Sequence, residues 1–251
     1  MLPQPHRLPP WRTIKKTFSK NKFLQSNSIM ESIKKSVIRD HSTCPLCKKN
    51  NSTLFCKEQH RSYFQCPCCS LLYVPSCHHL SPVEEKKRYD THTNHPDDPE
   101  YRDFLNRLVS PLLPYLPTGG KGIDYGSGPG PTLSLMFSEF GFHMKDYDPF
   151  YANYNKVLEE EYDFLTCSET MEHFSNPKEE WELFLKLVKR GGWIGIMTQL
   201  YEREIDFSQW YYKNDPTHVS FYSKETFKWL AEEYNLKLLF GEQSVVFLQR
   251  I

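Results

Sequence analysis

Residues 121–130 read Lys-Gly-Ile-Asp-Tyr-Gly-Ser-Gly-Pro-Gly, a short apolar strand that runs directly into a loop with glycine at every second position. The residues that follow, 132–140, have the composition of a helix. A strand, a glycine loop and a helix in this order bring bare backbone against a polar cofactor at the helix N-terminus. Glycine is needed because a Cβ would block the approach or forbid the dihedral angles. The stretch therefore predicts an α/β domain with a cofactor site at this loop.

The glycine spacing narrows the choice of cofactor. A dinucleotide site favours G-x-G-x-x-G, and here Pro131 occupies the position of the third glycine. A phosphate-binding P-loop ends in Gly-Lys-Ser/Thr, which this loop lacks. The loop instead reads Asp-x-Gly-x-Gly-x-Gly. The alternative to a cofactor-binding loop is a glycine-rich turn that binds no ligand.

An acidic residue follows at the spacing that ribose recognition requires. Asp148 lies 22 residues beyond Gly126, at the end of a second predicted strand and beside Pro149. A carboxylate in this position can accept hydrogen bonds from both hydroxyls of a ribose. Asp146 is the competing acid, and a solvated turn before Pro149 is the alternative without a ligand.

Several motifs in the same order resemble the class I S-adenosylmethionine (SAM) dependent methyltransferases, close to the type 11 and type 12 domains. They are the glycine loop, the segment 162–177 with its Tyr-Asp start and Glu-His pair, and the Gly-Gly pair that enters the strand 193–198. The resemblance covers about residues 120–250. It implies a Rossmann-like α/β fold, with a seven-stranded, mostly parallel sheet and helices on both faces.

The chain departs from the family pattern after the second strand. Only 13 residues separate Asp148 from Tyr162. The usual second helix, third strand and adenine-contacting acid are compressed or missing there, and no residue of this gap is assigned to adenine.

The resemblance also implies roles for individual residues. Asp124 would engage the methionine ammonium group of SAM, and Asp148 would hold the ribose. The other cofactor contacts that it implies are Gly126, Ser127, Gly128, Gly130 and Glu169. Because the sulfonium already activates the methyl group, the protein mainly has to align acceptor, methyl and sulfur, and this step requires no metal.

The segment 207–222 follows the fifth strand of the family's sheet and is rich in aromatic residues. In this fold the loop shapes the acceptor pocket. His218 is the best candidate for a general base because the ordinary pKa of histidine is near neutral, and Asp215 could orient it. His173 is placed near the transfer site by the resemblance. The alternative for His218 is a structural role.

Cysteine spacing gives a second motif. The stretches 44–47 (Cys-Pro-Leu-Cys) and 66–69 (Cys-Pro-Cys-Cys) are two C-x-x-C units 18 residues apart, the pattern of a zinc site. The predicted Zn²⁺ ligands are Cys44, Cys47, Cys66 and Cys69. Four thiolates close the coordination sphere, so the ion is predicted to be structural, in a zinc ribbon whose hairpin lies within 52–65. Cys68 could replace either neighbour, and disulfide or redox pairs are the alternatives.

Charge and hydropathy exclude several classes. The chain has 31 Lys and Arg and 31 Asp and Glu, so it is not built as a whole to bind nucleic acid. No apolar run approaches the length of a membrane span, and no secretory signal is visible, which predicts a cytoplasmic protein without membrane contact. No pattern indicates an oligomeric state.

The first 40 residues differ from the rest because they carry nine Lys or Arg against two acids. We interpret them as a basic flexible tail. The alternatives are an organelle transit peptide, a nucleic-acid-binding arm, or an extension before a chain that starts at Met30.

These observations predict four segments: the basic tail 1–40, the zinc ribbon 41–79, a helical connector or lid 80–117, and the methyltransferase domain 118–251. Candidate pocket residues on the connector are Tyr89, His92 and Tyr101.

The predicted function is methyl transfer from SAM to a small molecule, since the aromatic residues of 207–222 favour an enclosed pocket. One alternative is an RNA methyltransferase that binds its substrate through the ribbon and the basic tail. The other is a non-catalytic binding module that keeps the SAM fold as a scaffold.

Overall fold

The computed structural model describes residues 41–91 and 95–251. The basic tail 1–40 and His92 lie outside the described residues. The helices are α1 Pro82–Tyr89, α2 Pro99–Leu112, α3 Thr132–Glu139, α4 Pro177–Leu187 and α5 Lys224–Glu233. The strands are β1 Thr53–Lys57, β2 Ser62–Gln65, β3 Leu72–Tyr73, β4 Lys121–Tyr125, β5 His143–Tyr147, β6 Tyr162–Ser168, β7 Val188–Met197, β8 Ser220–Phe221, β9 Leu236–Phe240 and β10 Val245–Arg250.

The larger sheet has the strand order β5-β4-β6-β7-β10-β9. Strands β5, β4, β6 and β7 are parallel to one another, and β10 runs antiparallel to both of its neighbours. The predicted mostly parallel α/β sheet is therefore confirmed. The predicted strand number was wrong, because the sheet has six strands rather than seven.

The missing strand is explained by the short segment between β5 and β6. This segment must cross β4, which lies between the two strands in the sheet. A parallel crossover alone needs a dozen or more residues. The segment forms a turn and the 3₁₀ helix Asn155–Glu159, and no length remains for a further helix and strand.

Both faces of the sheet are covered by helices, as predicted. Phe164 and Trp193 belong to the apolar cluster that includes the buried side chains of α2 and α3. Their neighbours Leu165 and Ile194 belong to the cluster on the other face, with α4 and α5. Alternate residues of a strand point to opposite faces, so near-continuous apolar runs fit a sheet that is buried on both sides.

Residues 41–79, called the cysteine module below, pack directly on the α/β domain. Strand β3 pairs with β8, with Leu72 opposite Phe221 and Tyr73 opposite Ser220, which completes a four-stranded sheet β1-β2-β3-β8. The hairpin predicted within 52–65 is confirmed as β1 and β2. Residues 41–251 form one compact unit. We propose that the cysteine module ends at residue 79 and that the connector ends at residue 117.

None of the helices in the described ranges combines the length and the apolar character that crossing a bilayer requires.

Candidate active site

A cavity of about 740 Å³ opens at the carboxyl ends of β4, β5 and β6. It is lined by the glycine loop 126–130 and by segments 147–151, 168–175 and 216–219, and α1 and α2 contribute Tyr89 and Tyr101. Strand β4 has β5 on one side and β6 on the other, so the cavity lies where the chain reverses its direction across the sheet. This is where open α/β sheets bind ligands.

The glycine loop is held in the conformation that its sequence predicts. Gly126 and Gly128 have φ angles of +84° and +65°, which favour glycine over other residues. The backbone N–H of Gly126 donates to the carbonyl of Tyr147 (2.7 Å), which ties the loop to the end of β5. A Cβ on Gly126 would collide with Thr170, whose hydroxyl donates to the Gly126 carbonyl (3.2 Å). The loop is thus clamped between β5 and the segment after β6.

The carboxylate of Asp148 holds this loop through hydrogen bonds to the backbone. One carboxylate oxygen accepts from the N–H of Gly128 (3.0 Å), and the other accepts from the N–H groups of Phe150 (2.8 Å) and Tyr151 (3.0 Å). Asp148 lines the cavity, whereas the competing Asp146 is outside its lining and accepts from the hydroxyl of Ser134. Of the two acids, only Asp148 is placed where a cofactor could reach it.

Asp124 lies at the cavity floor, only 4% exposed. Its carboxylate accepts from the hydroxyl of Thr166 (2.8 Å). Burial raises the pKa of Asp124 to about 7, and the nearby charges of Asp146 and Asp148 act in the same direction. A cation bound beside Asp124 would favour its ionised form.

Two histidines face each other across the cavity wall, with ring centroids 4.8 Å apart. The Nδ1 atom of His218 lies 2.7 Å from the carbonyl of Tyr212, and Nδ1 of His173 lies 3.2 Å from the carbonyl of Thr217. Because a carbonyl only accepts, each Nδ1 carries the proton, and in a neutral ring Nε2 then keeps its lone pair. Burial lowers the pKa of His218, which keeps this imidazole neutral and basic at pH 7.

Asp215 was proposed to orient His218, but its carboxylate is hydrogen-bonded to Thr217 and Arg88. Asp215 accepts from the N–H of Thr217 (2.9 Å), two residues ahead, in the usual local turn of an aspartate. Its other oxygen accepts from Nη2 of Arg88 (2.8 Å). Burial opposes ionisation, but the hydrogen bonds from Thr217 and Arg88 hold the pKa of Asp215 well below its usual value. The carbonyl of Tyr212 orients His218 instead.

Glu172 is a site residue that the sequence did not single out. Only 1% of it is exposed, and its oxygens accept from the hydroxyls of Tyr212 (2.5 Å) and Thr198 (3.0 Å). Burial raises its pKa. The Glu-His pair at 172–173 was visible in the sequence, but its Glu could not be distinguished from Glu169 before the fold was known.

Glu169 is the acid that the sequence favoured. It lines the same cavity, with a φ of +46° that is uncommon for a residue other than glycine. Desolvation by the surrounding protein raises the pKa of Glu169 to about 9, and the nearby charge of Glu172 acts in the same direction. Such a strained residue with a perturbed pKa is typical of functional sites.

The predicted connector residues Tyr89 and Tyr101 both line the cavity. Tyr89 lies edge-on to His173, with ring centroids 5.1 Å apart, and its hydroxyl donates to Glu85 (2.6 Å). Helix α1 therefore covers the histidine end of the cavity.

The four predicted zinc ligands converge. Their Sγ atoms all lie within 4.8 Å of one another, with Cys44 to Cys69 at 3.5 Å and Cys47 to Cys66 at 3.3 Å. None of the four is in a disulfide, and Cys68 is exposed outside the cluster. A Zn–S bond of about 2.3 Å places the thiolates of a tetrahedron a little under 4 Å apart, so this donor set fits Zn²⁺.

The two cysteine turns have the same local geometry. The N–H of Cys44 donates to the carbonyl of Lys49 (2.9 Å), and the N–H of Cys66 donates to that of Leu71 (3.0 Å). The residue after each turn's second cysteine is left-handed, with φ of +59° at Lys48 and +58° at Ser70. Two matching turns that present four thiols to one point fit a metal site.

Arg61, in the turn between β1 and β2, connects this module to the acceptor loop. Its guanidinium donates to the carbonyls of Lys213 (3.3 Å), Asp215 (3.1 Å), Pro216 (3.3 Å) and His218 (2.5 Å). A rigid fork with several donors suits this role. The cysteine module thereby fixes the backbone that carries His218.

We expect Arg61→Ala to lower the free energy of unfolding by about 2 kcal/mol, because hydrogen bonds to a charged donor contribute roughly 1.5–3 kcal/mol. Urea denaturation measures this loss, and amide hydrogen exchange should show faster exchange in 213–219. The exposed Arg203 provides the matched control, Arg203→Ala. Equal exchange rates in this loop for both variants would contradict the positioning role.

Comparison with known proteins agrees with this geometry. Residues 95–239, more than half of the chain, match the model of a family described as a methyltransferase domain. No curated protein sequence matches the chain.

Solved structures with a similar fold include a candidate sarcosine dimethylglycine methyltransferase from Galdieria sulphuraria. It is 21% identical, with a TM-score of 0.45 over 56% of this chain and 63% of that chain. A SAM-dependent methyltransferase from Thermotoga maritima is 15% identical, with a TM-score of 0.41 over 66% of this chain and 94% of that chain. The calicheamicin-biosynthesis methyltransferase CalO1, with bound SAH, is 12% identical, with a TM-score of 0.42 over 61% of this chain and 55% of that chain.

Proposed function

Because this chain belongs to the methyltransferase domain family, we propose that it transfers a methyl group from SAM to a small-molecule acceptor held beside His173 and His218. One observation carries the proposal: the glycine loop 126–130 and the two histidines line the same cavity. Cofactor and acceptor would thus share one space, as direct transfer requires.

SAM would lie along the glycine loop, where the chain's own groups match its polar parts. Asp148 would accept from the ribose hydroxyls, and Asp124 would pair with the methionine ammonium group. Each match places an anion or an acceptor against a cation or a donor. The loop's bare backbone allows the nucleotide to approach closely.

His218 would act as the base. Its neutral Nε2 takes the proton that a hydroxyl or ammonium acceptor must lose, while the acceptor attacks the methyl carbon and the C–S bond breaks. The products are the methylated acceptor, S-adenosylhomocysteine and a protonated imidazole that returns its proton to solvent. Tyr212 holds the ring through its carbonyl during this cycle.

The size and cover of the cavity favour a small acceptor. About 740 Å³ lies within the range typical of small-molecule sites. Helix α1 and the segment 216–219 enclose the histidine end. The Zn²⁺ proposed at the four cysteines has a structural role, because four thiols leave no position open for a substrate.

The acceptor class can be tested by incubating the full chain with methyl-labelled SAM and cell extract. We expect label in low-mass metabolites, and far less label with Asp148→Asn. Label in RNA that disappears when residues 1–40 are deleted would instead support the RNA methyltransferase alternative. Binding of SAM without any labelled product would support the non-catalytic alternative.

A further inference from the structure

We propose that Glu172, His173 and His218 form a second metal site, which holds a divalent first-row transition metal at the acceptor end of the cavity. The inference rests on the proposed function for what the ion would do, but not for its binding. It concerns a different place and different donors from the four-cysteine cluster.

The three side chains converge on one point from two parts of the fold. Each offers a ligand atom, and these atoms lie within 4.8 Å of one another. Glu172 and His173 come from the 3₁₀ turn Met171–His173, and His218 comes from the loop before β8. The N–H of Val219 donates to the Glu172 carbonyl (2.8 Å), which fixes the two parts together.

The outer atoms of the histidines are already held, as they are in established metal sites. Nδ1 of each ring donates to a backbone carbonyl, of Thr217 for His173 and of Tyr212 for His218. Metal-ligating histidines commonly show this arrangement, because it fixes the tautomer and directs Nε2 to the ion.

The Glu172 carboxylate is oriented in the same way. The hydroxyls of Tyr212 and Thr198 each bond one of its oxygens. Each carboxylate oxygen has a second lone pair, so a bond from a hydroxyl does not prevent it from binding a metal ion. Each of the three proposed ligands is therefore held by at least one hydrogen bond with a neighbouring group, which orients it for binding an ion.

A bound cation would also stabilise the ionised form of the buried Glu172 side chain. Glu172 is almost fully buried, and its two side-chain donors are neutral hydroxyls. Among residues 41–91 and 95–251, no Lys or Arg forms an ion pair with it. A second acidic side chain, Glu169, lines the same cavity, and a bound cation would favour the ionised form of both acids. Burying charge of one sign is costly unless a counter-charge is bound.

The donor set indicates the class of ion and of acceptor. Two imidazoles and one carboxylate suit Mn²⁺, Fe²⁺, Co²⁺ or Zn²⁺ better than Mg²⁺ or Ca²⁺, which prefer oxygen ligands. Three protein ligands leave positions open toward the cavity. An acceptor hydroxyl bound there would lose its proton more easily, as metal-bound water does. With the ion bound, Nε2 of His218 is a ligand, so the metal would take the place of His218 as the group that promotes this loss, and the proton would pass to solvent. The site therefore favours a hydroxyl-bearing acceptor.

Cobalt titration tests the site independently of activity. The full chain, loaded with one Zn²⁺, is titrated with Co²⁺ while bound metal and the visible spectrum are measured. We expect one further Co²⁺ per chain, with a spectrum that lacks the thiolate charge-transfer band of a four-cysteine site. We expect His173→Gln and His218→Gln to weaken this binding at least about tenfold, the lower end of the loss seen even for outer partners.

His143, exposed on β5, gives the control His143→Gln, which should bind as the wild type does. Tyr212→Phe is a second probe that keeps all three ligands, and it should also weaken binding. No second Co²⁺ in the wild type, or equal binding in the histidine variants and the control, would overturn the proposal. A SAM titration on the same samples reports on the proposed function separately.

Discussion

Removal of the Zn²⁺ proposed at the four-cysteine site is expected to unfold much more than the cysteine module. Cys44, Cys66 and Cys69 are completely buried, in the same apolar cluster as Tyr222 and Phe227 of the α/β domain. Structural zinc contributes roughly 10–16 kcal/mol in zinc-finger peptides, as much as the roughly 5–15 kcal/mol that keeps a whole domain folded. Loss of the ion should therefore destabilise the residues that it joins on both sides.

Cys69→Ser and its neighbour Cys68→Ser form a matched pair, because Cys69 is in the cluster and Cys68 is exposed. We expect Cys69→Ser, or chelation of the wild type, to abolish cooperative thermal unfolding and SAM binding together. Cys68→Ser should behave as the wild type. An α/β domain that still melts at its original temperature after chelation would show that the module is only an appendage.

Asp124→Asn is expected to stabilise the protein without cofactor while weakening SAM binding. The pKa of Asp124 is raised from 3.8 to about 7 by burial. A raised acid pKa adds stability that is present below pH 4 and is lost as the pH rises to 7. At pH 8 the wild type carries the full cost of the buried charge, about 4 kcal/mol at 1.36 kcal/mol per pKa unit. Asparagine removes this charge and keeps an acceptor for Thr166.

Thermal denaturation at pH 5 and pH 8 measures the first effect. The gain from Asp124→Asn should be larger at pH 8, where wild-type Asp124 is ionised. Calorimetric titration measures the second, and SAM affinity of the wild type should itself fall below pH 7 as Asp124 is protonated. Asp97→Asn, at an exposed position, is the control for both. Lower stability at pH 8 together with unchanged SAM affinity would mean that Asp124 is a structural residue.

The sequence predicted those parts of the molecule that depend on local spacing. The glycine loop after β4 and the acid at the end of β5 follow from residues within one strand–loop–helix unit and its neighbour. The cysteine turns are equally local, since each C-x-x-C unit forms its own turn. Local patterns of this kind survive in any fold that contains them.

Features that depend on distant pairing were not predictable. Strand β8 has only two residues, and nothing in Ser220–Phe221 indicates that β3 is its partner. Arg61 reaches a loop more than 150 residues away. Glu172 becomes distinct from Glu169 only when Tyr212 and Thr198 fold over it. Sequence periodicity depends on residues that are close together along the chain, whereas these contacts are set by tertiary packing.

Calorimetric titration of SAM into the full chain and its Asp148→Ala and Asp148→Asn variants is the most direct test of the cofactor site. We predict one SAM per wild-type chain and at least about tenfold weaker binding for both variants, since hydrogen bonds to a carboxylate contribute roughly 1.5–3 kcal/mol. Unchanged affinity in folded variants, or no binding by the wild type, would contradict the placement of SAM at the glycine loop.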